Sequence, residues 1–181
     1  MRAGRVAAWL VLGGLVACAG RRESTAGELS FEWSSTDTTV GVGRWSGGAE
    51  AAWCESRQRL TVFAARGDTG AALLVLLPAL EPASGIPLVT AADSGSAPRA
   101  TVAARWSSER AVMALRSDSG SLTLTQVAPT LSGRFDGTLS RPDSEFAAPT
   151  IRGQLRDVAV VAGDAACRRM GVGQTPDSGV P

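Results

Sequence analysis

The sequence predicts an all-β, single-domain antiparallel β-sandwich, with a closed β-barrel as the alternative architecture. Three observations carry that expectation. Apolar and polar residues alternate with period two in segment after segment, as a strand with one buried face requires. Clusters of Gly, Ser, Asp and Pro punctuate those segments, supplying positive φ and side-chain-capped turns. Beyond residue 20, no segment with helical periodicity runs longer than two turns.

The alternating segments follow in order. Leu29, Phe31 and Trp33 alternate with Glu28, Ser30 and Glu32. Leu60, Val62 and Ala64 then share one face, and residues 71–77 are apolar throughout, as a strand covered on both faces or a short buried helix would be. Ala100, Val102, Ala104 and Trp106 form the next face, and Leu122 and Leu124 sit among Ser121, Thr123 and Thr125. Leu131, Gly133, Phe135, Gly137 and Leu139 alternate with polar residues. Ile151, Gly153 and Leu155 face one way, and the phase changes before Val158 and Val160, the signature of a bulge. Turns are expected at Gly47-Gly48, Gly67-Asp68-Thr69-Gly70, Asp93-Ser94-Gly95, Asp118-Ser119-Gly120 and Pro142-Asp143-Ser144. Asp68, Asp93, Asp118 and Asp143 recur at steps of 25, which reads as a meander whose alternate turns emerge at one end. About nine to eleven short strands at this spacing suit one antiparallel sandwich or barrel. The domain is expected over residues 28–170, with a flexible tail over 171–181.

Composition narrows the chemistry. Formal net charge is +1, and the arginines are interleaved with Asp and Glu rather than clustered. A nucleic-acid surface needs clustered cations, so nucleic acid is not an expected partner. His, Lys, Tyr and Asn are absent altogether. The chain thus lacks the usual proton shuttle near neutral pH, the commonest metal ligand and a Schiff-base amine. No enzymatic activity, cofactor or metal is expected.

The N-terminus carries the most specific pattern. Arg2 and Arg5 precede an apolar run over residues 6–16, too short for the roughly 20 residues that cross a bilayer. Basic start, apolar run and small-residue ending make an export signal over residues 1–17. Its ending, Leu15-Val16-Ala17-Cys18, resembles the lipobox of bacterial lipoproteins. The resemblance implies cleavage before Cys18, a diacylglyceryl group on its thiol and acylation of the new amine. Residues 18–27 then read as a flexible lipidated tether. Ala19 rather than Asp follows the lipid Cys, which by the sorting rule of Gram-negative lipoproteins implies outer-membrane delivery. With Cys18 lipidated, Cys54 and Cys167 remain as an even pair in an oxidising envelope and are expected to form a disulfide.

Other constellations are weaker. Asp68-Thr69-Gly70 and Asp93-Ser94-Gly95 resemble the active-site loops of aspartic proteases, whose chemistry needs two carboxylates about 3 Å apart. Arg66-Gly67 breaks the apolar strand that precedes the family's Asp, and the flap Tyr has no counterpart. Gly43-Arg44-Trp45 resembles the Gly-x-Trp motif of lipocalins, in which the Trp closes a barrel holding an apolar ligand. That makes Trp45 the candidate ligand-binding residue. Trp33, Trp45, Trp53 and Trp106 invite comparison with a sugar-stacking platform, but Trp33 and Trp106 fall in inward register, where packing is expected. The remainder of the mature chain matches no family pattern. The sequence therefore points to a lipid-anchored envelope protein with a non-catalytic β domain, its partners being the membrane and an envelope protein or cell-wall component; small apolar ligand binding is the alternative.

Overall fold

The computed structural model describes residues 27–91, 96–108, 111–141, 147–163 and 167. The signal segment, Cys18, Asp93, Asp143 and the 171–181 tail lie outside the described residues. The named elements are ten strands and one 3-10 turn, so the all-β expectation holds. In chain order the strands are β1 (Glu28–Ser34), β2 (Val42–Gly48), β3 (Glu50–Cys54), β4 (Arg59–Arg66) and β5 (Thr69–Leu76). β6 (Ala83–Pro87), β7 (Arg99–Ser107), β8 (Val112–Gln126), β9 (Thr130–Ser140) and β10 (Thr150–Ala162) follow.

Two packed sheets do not form. Seven strands, β10-β3-β4-β5-β7-β8-β9, close on themselves through the β9–β10 pairing, and β1, β2 and β6 are additions to that ring. The sandwich expectation is therefore corrected to a barrel. The purely antiparallel expectation is corrected too, because β3 and β10 run parallel. Closure needs strands that bend, and the two long strands that border β9 do so at bulges. One lies in β8 between Ser117 and Ser119, and one in β10 between Leu155 and Val158.

The β8 bulge occupies Asp118-Ser119-Gly120, which the sequence offered as a turn. Gly120 has a φ of 129°, and a Cβ there would stand 2.1 Å from the Asp136 carbonyl oxygen, so this bulge admits only glycine. Of the evenly spaced aspartates, Asp68 sits in the β4–β5 turn and Asp118 within a strand, so the expected meander of turns does not extend to Asp118. Gly47-Gly48, also expected as a turn, ends β2.

Beside the β8 bulge the ladder loses a partner and a side chain replaces it. Ser117, fully buried, accepts the Val102 N–H at 3.0 Å and donates to the Val89 carbonyl at 2.9 Å. The alternating inward residues meet as anticipated: Leu60, Leu73, Val75, Val102, Leu122 and Leu131 are buried inside the ring.

β1 enters the wall as a wedge. It pairs with β10 from Glu28↔Arg156 to Ser34↔Thr150, and with β2 on its other edge. β2 and β3 are nearly continuous, and at Ala49 the chain stops following β1. The Ala49 N–H donates to the Gly27 carbonyl at 2.7 Å, and from Ala51 onward the strand pairs directly with β10. The β10 bulge sits at the same point: Asp157 takes a φ of 49° and its N–H donates to Ser132 Oγ. Gly27 fits the crowding where the wedge begins, since a Cβ there would lie 2.2 Å from the Val158 Cα.

Candidate functional site

The disulfide forms as expected. Cys54 and Cys167, separated by 113 residues, are bonded, with Ser56 Oγ 3.4 Å and 3.6 Å from the two sulfurs. Its position explains its use. The parallel β3–β10 ladder that closes the ring spans only Val160↔Ala51, Val161↔Ala52 and Ala162↔Trp53, and Cys54 is the next residue of β3. The bond thus staples the closing seam. In the chain-entropy model a loop of this length contributes about 4–5 kcal/mol.

Along β1 toward its other end, aromatic rings cover glycines at three places beside it. Trp33 lies over Gly43 directly across the β1–β2 pair, Phe135 over Gly153, and Trp45 over Gly47. The rings form a row: Trp45 to Phe31 at 5.4 Å, Phe31 to Trp33 at 5.7 Å, and Trp33 stacked on Trp106 of β7 at 4.7 Å. Trp45 therefore packs against Phe31 on a strand outside the closed ring. Trp53 and Trp106 are buried, as packing demands, and Trp33 and Trp45 are half-buried.

The stacked pair is not satisfied. The indole nitrogens of Trp33 and Trp106 are both buried and neither has a hydrogen-bond acceptor. Leaving a buried donor unpaired costs about 1–3 kcal/mol each. Phenylalanine would carry no unpaired donor, though it is too small to fill the place of an indole. Both indoles line a pocket of about 320 Å³ between the residue 35–41 loop and the end of β7. No sequence pattern flagged this pocket, because the pairing of Trp33 with Trp106 depends on strands far apart in the chain.

The outside of the β2-β1-β10-β9 sheet carries a second feature. Arg44, Glu32, Arg152 and Asp136 stand directly opposite one another across four strands, a row of alternating sign. A groove of about 920 Å³ follows this row, with Arg134 beside it and Arg66 at its end. On each strand its lining takes a core-facing residue together with the outward neighbours on both sides, which places it on the solvent face. A further groove of about 620 Å³ shares Glu32, Arg44 and Arg152. None of the six charged groups closes an ion pair among the described residues.

Of the two protease-like aspartates, the structure describes Asp68 alone. Asp68 is exposed and pairs with Arg105 at 3.7 Å, and Asp93 lies outside the described residues. Among the described residues, no group of three or more acidic, Cys or His side chains is placed to hold a metal. Comparison with family models, with curated proteins and with solved structures finds no match.

Proposed function

We propose that this chain is a lipid-anchored protein of the bacterial envelope whose barrel binds a partner and performs no catalysis. Cys18 carries the acyl chains, residues 18–27 form the tether, and the outer membrane is the destination. A diacylglycerol thioether with an N-acyl chain exceeds the two-chain requirement for stable anchoring. The run from Arg2 to Cys18 is the observation that carries this reading. A covalently stapled seam suits an oxidising compartment, and this agrees with export.

The partner surface we favour is the outward face of β2-β1-β10-β9. It begins at Glu28, where the tether ends, and presents four arginines and two carboxylates around a groove. Alternating charges of that kind set register and exclude wrong partners more than they add affinity. An envelope protein or a cell-wall component fits such a face.

Intact mass of membrane-extracted protein, with and without Cys18→Ala, tests the anchor. The native chain is expected to lack residues 1–17 and to gain the mass of a diacylglyceryl group and an acyl chain; the variant gains neither. An unmodified thiol at Cys18 in the membrane fraction overturns the reading.

A further inference from the structure

We propose that the pocket beneath the residue 35–41 loop is a binding site for a small uncharged ligand bearing a carbonyl oxygen and hydroxyls, the chemistry of an N-acetylated sugar unit. The inference is independent of the lipid anchor and of the charged outer face. It starts from two buried indole N–H groups, of Trp33 and Trp106, that lack acceptors and belong to residues lining one pocket. An indole nitrogen donates and never accepts, so whatever satisfies this pair must be an acceptor. A single carbonyl oxygen has lone pairs for both.

The rest of the wall narrows the class. Thr38, Thr39 and Ser107 bring hydroxyls, Val40 and Val42 bring aliphatic surface, and the described lining carries no charged side chain. Hydroxyl groups on the ligand meet hydroxyls on the wall, and a methyl meets the valines. An ion would lose its hydration with no opposite charge to offset the loss. At about 320 Å³ the pocket sits at the low end of small-molecule sites, room for one ring rather than a fatty chain.

Access comes from the loop. Neither nitrogen meets solvent as the loop lies, so occupancy requires it to lift. Its hydrogen bonds are largely internal. The Ser35 N–H donates to the Gly41 carbonyl, the Val40 and Gly41 N–H groups to the Asp37 carbonyl, and the Thr39 N–H to Asp37 Oδ1. Lifting the loop costs the burial of Val40 in the core and the Ser35 Oγ–Ala147 carbonyl bond, and Gly41, at a φ of 69°, stands at one of its ends.

The test is a titration of the ¹⁵N-labelled full chain in detergent with N-acetylglucosamine, with glucose as the control that lacks the acetamido carbonyl. Indole N–H resonances of Trp33 and Trp106 are expected to shift saturably with the acetamido sugar, while those of Trp45 and Trp53 stay in place. Replacing both donors (Trp33→Phe with Trp106→Phe) is expected to weaken calorimetric affinity roughly tenfold or more, as loss of two hydrogen bonds implies. A single cooperative melt and an unchanged β-sheet spectrum for that variant separate lost binding from lost fold. Unmoved Trp33 and Trp106 resonances up to the sugar's solubility, an equal response to glucose, or full affinity in the double variant overturns the proposal.

Discussion

The two ends of β1 are built on opposite plans. At its start, around Gly27, Ala49 and Val158, backbone is packed against backbone and the ring closes through a three-pair parallel ladder held by a disulfide. At its far end, roughly 23 Å away along seven extended residues, contacts pass between rings, and β2 is the last strand of its sheet. The first end is locked by covalent and steric means. The second holds unsatisfied donors and a loop bonded largely to itself, beside a charged row centred on Glu32 that closes no ion pair among the described residues. The proposed binding features fall away from the stapled seam, in keeping with the usual division between rigid scaffold and functional edge.

That contrast can be broken from either side. The largest effect is expected at the seam: Cys54→Ser with Cys167→Ser lowers unfolding free energy by about 4–5 kcal/mol, read from denaturant titration of the oxidised protein against the variant. A change confined to tenths of a kcal/mol would mean that the three-pair ladder closes the ring unaided. Next comes the aromatic row, where Phe135→Ala uncovers Gly153 and is expected to cost about 3 kcal/mol in the same assay. Gly27→Val pushes a side chain into the Val158 backbone, and about 2 kcal/mol is expected, with β1 amides losing exchange protection first. Ser117→Ala strands the Val102 N–H in the core and costs about 1–2 kcal/mol. The smallest effect belongs to the exposed Arg105–Asp68 pair: Arg105→Ala shifts stability by less than about 0.5 kcal/mol.

The same division decides what the sequence made legible. Strands whose inward positions are aliphatic or aromatic, such as β4 and β7, announce themselves by alternation. β10 revealed even its bulge, because the phase shift before Val158 is local. β2 stayed hidden because Gly43 and Gly47 stand at its inward positions, under the rings of Trp33 and Trp45, so that no apolar alternation shows and Gly47-Gly48 reads as a turn. Asp118-Ser119-Gly120 carries turn chemistry into the middle of a strand, because a bulge and a turn ask for the same positive φ. Ring closure was out of reach: it rests on pairing Ala51 with Val160, a contact that no local periodicity encodes. The disulfide was within reach because cysteine parity and compartment require no geometry. The indole pair was not, since an unsatisfied donor exists only once the surroundings of Trp33 and Trp106 are assembled.

Residue-resolved hydrogen exchange on the intact, oxidised chain tests the contrast between the two ends most directly. Amides of Ala51, Trp53 and Val160 at the seam are expected to open only with global unfolding, while those of Val40, Gly41 and β2 exchange through a cheaper local opening. Protection of the residue 35–41 loop equal to that of the seam, or a seam that exchanges first, would contradict the account.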